Sequence, residues 1–405
     1  MAEQTKSANG LAGTDETSVR RQRGVALMLA IMIIAMMVIF SVDMIVSSRV
    51  QIEKTRRVKE GFAAEYLARS GLEIAQVLIG IDTLVDSVLS SDVVGPLKQD
   101  AKDTPGDIWA MFNILPGLGG DDPLIESFVK EELGISEVQQ EDLVLQLREL
   151  GGRFTVLVED ESNKINVNYL AKGRGLEVEK MFLALMRCPA EADFLESKRL
   201  DATELFYLIK DYVDEDKKAE SESGFNDESI PYSRMKPPRT IKNAPFESIE
   251  ELKMIPGWDE EVHAVFSPYL TVFPFKRDGE SDLKLNLNTL PKAVLRCFFP
   301  NGEIDCRDTY NEKLADLQSG NAIAGSTSEI ASSLKTVFCA DEKDEKEKSQ
   351  WFGVSSSTFR VQAGGYVGDT EKKFEAVFFR DTSSTSGTTS TPKKLLSRLY
   401  WKAHR

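Results

Sequence analysis

The residues with most capacity for chemistry lie in the middle of the chain. Asp211, Asp214, Glu215 and Asp216 are followed by Asn226, Asp227 and Glu228. Hard cations such as calcium take six to eight oxygen ligands, and this stretch offers them densely. Asp211, Asp214, Asp216, Asp227 and Glu228 are therefore candidate calcium ligands. It is not a complete EF-hand, because the loop beginning at Asp214 lacks glycine at its sixth position. Cys188, Cys297, Cys306 and Cys339 form no CxxC pair, which argues against zinc and leaves three disulfide connectivities. With only two histidines, His263 and His404, a histidine-rich metal site or a histidine-based triad is not expected. Phosphate-binding, nucleophile-elbow and zinc-protease motifs do not occur, so no enzyme is expected. The formal net charge of −15 disfavours nucleic acid as a partner of the body. The turn MIPGWDEEV has the look of a helix-hairpin-helix, but Asp259, Glu260 and Glu261 would repel phosphate.

These residues need a scaffold, and 405 residues are enough for two or three domains. Val25 to Phe40 is uninterrupted apolar sequence, extended to Val46 past Ser41 and Asp43. That suffices to cross a bilayer and is too long for a secretory-signal core. Arg20, Arg21 and Arg23 precede it, and Arg49, Lys54, Arg56, Arg57 and Lys59 follow, so charge alone leaves orientation open. Helical periodicity continues through Val58, Phe62 and Tyr66, and through Ala63, Leu67, Gly71, Ile74 and Leu78.

One heptapeptide occurs twice: KINVNYL at 164–170 and KLNLNTL at 284–290. A strand pattern, Phe154, Val156 and Val158, precedes the first copy. A helical pattern follows each copy, with Pro291 at the second helix's start. Asn168 and Asn288 are expected as helix caps, with Asn166 and Asn286 bracing the turns. Thr203–Asp216 reads as further helix, and Ser248–Phe273 as helix, a tight turn at Pro256-Gly257, a second helix and a strand, with a capping box at Ser248 and Glu251. Strand character returns at 357–368 and 374–381. Strands on either side of a helical block imply an insertion within an α+β head.

The junction at Gly24, a basic cluster followed by glycine and an apolar run, resembles a type IV prepilin leader. Taken with DESNKINVNYL, LIKDYVDED, SIEELKMIPGW, LKLNLNTLPKAVL, TFRVQAGG and AVFFRD in that order, the chain resembles the K-type minor pseudopilins of type II secretion from about Arg23 to Asp381. The resemblance implies a type IV pilin-like fold: a long N-terminal transmembrane helix and an antiparallel sheet, with a large inserted helical domain of two SAM-like, helix-hairpin-helix-like lobes. It implies a leader at 1–24, a long helix at 25–90 spanning the membrane at about 25–46, a head at 91–163 and 351–381, and an insertion at 164–350. Residues 382–405 are expected to be a Ser/Thr-rich linker and a frayed basic tail, with Leu395, Leu396, Leu399 and Tyr400 able to form one helical face.

Prepilin peptidase would cut between Gly24 and Val25, and Val25 would be N-methylated. Leu29 stands at the fifth mature position, where most pilins carry glutamate, which suits a subunit at the fibre tip. The resemblance further implies an inner-membrane anchor with a periplasmic head, other minor pseudopilins as partners, and calcium at the acidic cluster. In a periplasmic head disulfides are expected, and the short loop favours Cys297–Cys306 over Cys306–Cys339. The alternative function is an uncleaved single-pass receptor with a ligand-binding periplasmic head.

Overall fold

The apolar run and the amphipathic stretch behind it carry no proline, so nothing in the backbone chemistry interrupts a helix there. In the computed structural model they form one helix, α1, Asp15–Leu89. The structure describes residues 15–89, 102–114, 118–119, 145, 151–172, 175–220, 227–274, 284–300, 306–318, 320–380 and 396–404. The basic triplet's side chains and residues 1–14 of the expected leader lie outside that description. The chain divides into two units, Met1–Phe62 and Ala63–Arg405. In the first unit every residue from Gly24 to Lys59 is exposed. This helix is long and apolar enough to cross a membrane.

In the second unit α1 buries Ala64, Leu67, Ala68, Leu72, Ala75, Leu78 and Ile79. These recur at three- and four-residue spacing and form a single stripe. The stripe is narrower than the sequence periodicity suggests: Phe62 and Tyr66 remain 68% and 54% exposed. It packs on an antiparallel sheet ordered β1 (Leu118–Gly119), β2 (Arg153–Asp160), β7 (Thr358–Val367), β8 (Thr370–Arg380) and β9 (Leu396–His404). Phe154, Val156, Val158, Phe359, Val361, Ala363, Phe374, Ala376 and Phe378 supply the sheet's side of this core. The helix comes very close at the start of its buried stripe. A Cβ on Gly365 would overlap the Ala64 carbonyl oxygen and lie 2.7 Å from the Ala68 nitrogen.

Between β2 and β7 the chain makes two helical lobes over a shared apolar core. The first opens at β3 (Ile165–Asn166) and contains α2 (Gly175–Met186), α3 (Pro189–Ser197), α4 (Ala202–Val213), α5 (Ser229–Ser233) and α6 (Glu260–Phe266). It closes at β4 (Leu270–Thr271), which pairs in parallel with β3. The second opens at β5 (Leu285–Asn286) and contains α7 (Lys292–Phe298), α8 (Arg307–Gln318), α9 (Ile330–Phe338) and α10 (Glu342–Lys348). It closes at β6 (Phe352–Gly353), parallel to β5.

The C-terminal segment departs from the expected frayed basic tail. Leu396–His404 is a strand along the outer side of β8, and Leu395 lies outside the described residues. The open edge of β8 supplies backbone hydrogen-bond partners that an isolated amphipathic helix would have to find within itself. Tyr400 and Trp401 then point to opposite faces, against Phe273 and Phe374.

The close approach of α1 to the sheet predicts that Gly365→Ala destabilises the protein by about 3 kcal/mol, as overpacking does where backbone cannot yield. Thermal unfolding of the detergent-solubilised chain measures this; an unchanged midpoint would show that the helix can move away from β7.

Candidate functional site

The base of the insertion is a seam of polar residues, and its parts come from DESNKINVNYL and its repeat. Asp160 ends β2 with its carboxylate buried. It accepts hydrogen bonds from the Ser356 hydroxyl at 2.5 Å, the Thr289 hydroxyl at 2.5 Å and the Ser162 N–H at 2.7 Å. Burial raises its pKa to about 6, against the lowering effect of these neutral donors. Its neighbour Glu161 is equally buried but lies 2.6 Å from both Lys164 Nζ and Arg360 Nε. Burial pushes its pKa up, and the two cations more than offset this and hold it at about 2. Glu161 also accepts from the Thr271 hydroxyl at the first lobe's exit. Ser162 Oγ accepts from the Ser357 and Thr358 N–H groups, and its carbonyl accepts from Asn286. Three consecutive residues thus hold β2, β7 and both lobes together.

The paired asparagines work in the same way in both lobes. Asn166 Oδ1 accepts from the Asn168 N–H at 3.0 Å, and Asn286 Oδ1 from the Asn288 N–H at 3.0 Å. This is the turn-bracing expected of Asn166 and Asn286. Asn168 and Asn288 are not helix caps. Asn168 donates to the Phe246 and Val272 carbonyls and accepts from the Phe246 N–H. Asn288 donates to the Ala324 carbonyl and accepts from the Ile323 and Ala324 N–H groups. A primary amide has both donors and an acceptor, so one side chain can pair a distant extended segment as a strand would. Sequence distance hid these partners, which lie 78 and 36 residues away.

Of the candidate cation ligands, the structure brings Asp211, Asp214 and Glu228 together, with carboxylate oxygens within 4.8 Å of one another. Asp211 and Asp214 come from the end of α4, and Glu228 directly precedes α5. Asp216 and Asp227 do not join them. Asp216 Oδ1 accepts from the Lys218 N–H, and Asp227 Oδ1 from the N–H and hydroxyl of Ser229; both carboxylates are exposed. Their own turns engage them, which a count of acidic residues does not reveal. Asn226 lies outside the described residues. Asn243, with φ of 47°, reaches in from the other side, where its amide donates to Glu228 and to the Asp216 carbonyl. Glu228 Oε2, Asp214 Oδ1 and Asn243 Oδ1 are buried without a hydrogen-bond partner among the described residues. Burial and then the Asp216 and Glu220 charges raise Asp214 to about 6. Burial and the charges of Asp214, Asp211 and Asp216 raise Glu228 to about 7. Asp211 accepts from the Glu220 N–H at 3.0 Å. Three mutually repelling carboxylates, with one oxygen each of Asp214, Glu228 and Asn243 unpartnered, suit a hard divalent cation.

The cysteines pair otherwise than the short loop suggested. Cys188 bonds Cys297, with Cα atoms 5.0 Å apart, and Cys306 bonds Cys339, at 5.8 Å. Cys297 lies on the inner face of α7, buried in the shared core, where it meets Cys188 at the start of α3. The face a helix buries, and not loop length, selects the partner. The first bridge links the two lobes, and the second ties the start of α8 to the end of α9.

At the other end of the chain, Gly24 lies within α1 and a Cβ there would have no neighbour within 4 Å. Packing within the described chain therefore gives no reason for glycine at this position. Val25 and Leu29 are exposed, at 56% and 54%.

The depressed pKa of Glu161 makes a pH test of the seam. Glu161→Gln removes stabilisation that is fully present above the unfolded carboxyl's pKa near 4.5 and lost as pH falls through about 2. The variant is expected to lose about 3 kcal/mol at pH 7, the scale for breaking a buried ion pair. In acid unfolding the gap to the unaltered protein should close between pH 4.5 and 2; a constant gap would assign Glu161 a packing role only.

Residues 163–275 match the family described as type II secretion system (T2SS), protein K. The type II secretion system protein K of Aeromonas hydrophila is 25% identical over 368 residues, 90% of this chain and 94% of that protein. The putative type II secretion system protein K of Escherichia coli K12 is 26% identical over 292 residues, 70% of this chain and 72% of that one. Among solved structures, the GspK-GspI-GspJ complex from the type 2 secretion system of enterotoxigenic Escherichia coli contains a chain of the same fold. The TM-score is 0.54 at 15% identity, covering 88% of this chain and 99% of the other. The chain is thus similar in sequence to type II secretion system protein K over most of its length, and it shares the fold of a chain in the GspK-GspI-GspJ complex.

Proposed function

We propose that the chain is a minor pseudopilin at the tip of the type II secretion pseudopilus, where it initiates or caps assembly and performs no catalysis. The observation that carries this reading is the interruption of a helix-on-sheet body by two bulky lobes between paired strands β2 and β7. A subunit of this build can offer its helix to neighbours below while the lobes obstruct addition above. Leu29 supports the same place. With no carboxylate at the fifth mature position, there is no side chain to neutralise the N-terminal ammonium of another subunit, and an unpaired buried charge is costly. GspK occurs with GspI and GspJ in the solved complex; by likeness, other minor pseudopilins are the partners here. Prepilin peptidase would remove residues 1–24 and leave an N-methylated Val25. The mature helix would sit in the inner membrane, with Ala63–Arg405 in the periplasm.

The intact mass and N-terminal peptide of the protein from its native envelope test this. An N-methylated Val25 terminus is expected. A chain still beginning near Met1 with the peptidase present would overturn the pseudopilin reading and favour a single-pass receptor.

Calcium belongs to the same reading, held by Asp211, Asp214 and Glu228, with Asn243 beside them. The ion would neutralise their repulsion and tie α4 to the start of α5, a structural role. Calcium is expected to raise the melting temperature of the full chain at pH 8. Without calcium, Glu228→Gln should be the more stable protein at pH 8. A raised carboxyl pKa costs stability as pH rises through about 7, and glutamine removes that cost. With calcium the order should reverse. A melting temperature indifferent to calcium in both proteins would dismiss the ion.

A further inference from the structure

Strand β9 is joined to the sheet in an unusual way. Leu396 pairs with Arg380, the last residue of β8, so the two ends to be connected are adjacent. Two to five residues suffice for such a hairpin. Here fifteen intervene, residues 381–395, a length that spans up to about 50 Å when extended. The connection is far longer than closing the hairpin requires.

The strand is also lightly held. Only Leu396 is buried, packed beside Gly80 of α1. Arg398, Trp401, Lys402, Ala403 and His404 are exposed. Beyond its backbone pairing with β8, its side-chain anchors among the described residues are Leu399 and Tyr400, part-buried against the lobe core with Tyr400 on Phe273, Trp401 stacked on Phe374 beneath Arg69, and His404 3.2 Å from Glu375. Lys402 lies opposite Glu375 in the register. Beneath it, β8 carries the apolar stretch Phe374, Ala376, Val377 and Phe378, all buried. An open edge of that composition pairs readily with other strands. The occupant is basic and meets one carboxylate, Glu375, in a paired stretch that also carries Lys373 and Arg380.

We propose that the outer edge of β8 is a strand-docking site whose occupant, the chain's own segment Leu396–His404, is held by its tether and exchanges on and off the edge. Bound, the strand covers an aggregation-prone edge and pins Phe273, at the first lobe's exit, to the sheet. Released, it frees both. Covalent attachment makes docking intramolecular, so a strand with weak intrinsic affinity remains docked most of the time. None of this depends on the subunit's place in a fibre.

The experiment cuts the tether. A protease site is placed among residues 381–395 of the full-length chain in detergent, and cleavage leaves every other residue in place. After cleavage and dilution the C-terminal fragment is expected to dissociate. A fluorescent peptide with the sequence of residues 393–405 should then bind the cleaved protein saturably, with weaker binding at high salt. Tyr400→Ala with Trp401→Ala in the peptide should weaken binding at least tenfold, the equivalent of about 1.4 kcal/mol. In the uncut chain, β9 amides should exchange with solvent as one group, faster than amides paired between β7 and β8. A fragment that stays bound indefinitely after cleavage, with β9 amides exchanging only on global unfolding, would overturn the proposal. Equal binding of a scrambled peptide would also overturn it.

Discussion

Everything in the head depends on the meeting of β2 and β7 across a long insertion. Asp160 and Ser356 are 196 residues apart in sequence and 2.5 Å apart in space. Closing a loop of that length costs chain entropy that grows only slowly with length, so a compact set of contacts at the base can hold it. The base consists of Asp160, Glu161 and Ser162, which reach both lobes and both strands. It is built from buried polar groups that are almost fully paired, and this is the condition under which such groups stabilise a fold. Adjacent carboxylates there have opposite electrostatics because one faces hydroxyls and the other faces cations.

A second buried charge lies on the far side of β7. Arg380 ends β8, almost wholly buried, and donates to Asp82 of α1 at 2.9 Å, to Asp103 and to the Ser356 carbonyl. It thereby joins the long helix, the segment at 102–107 and the base of the insertion. Asp82 is raised to about 8 by burial first and by the nearby Asp103 charge, against the lowering effect of Arg380. One guanidinium is shared by Asp82, Asp86 and Asp103, so this junction favours a bound proton. The same residues that fix the helix to the head leave it sensitive to pH.

The lobes themselves are variations of one device. Each begins with an apolar residue, asparagine, apolar residue and asparagine, and each closes through a two-residue parallel ladder at its base. In each, the first asparagine braces the turn and the second pairs with a distant extended segment of the same lobe. The repetition explains why an otherwise odd heptapeptide recurs. It also explains why its asparagines are buried: Asn286 and Asn288 are fully covered, and only paired amides tolerate this. The disulfide between Cys188 and Cys297 then joins one lobe to the other.

By itself the sequence determined the long helix, the alternating strand ahead of the insertion, the helical block and the repeated openings of its lobes. These follow from local periodicity, the asparagine turns at Asn166 and Asn286 and the absence of proline from the long helix, which act between residues near in sequence. It also marked Asp211, Asp214 and Glu228 as oxygen-rich. The tertiary structure alone decided which acidic residues converge, because Asp216 and Asp227 turn into their own loops. It alone chose the cysteine partners, since the buried face of α7 is a property of packing. It also gave Asn168 and Asn288 partners 78 and 36 residues away and made a strand of the C-terminal segment. No local pattern could announce that strand, because what it required was an open edge on β8, and an edge exists only after the sheet has formed.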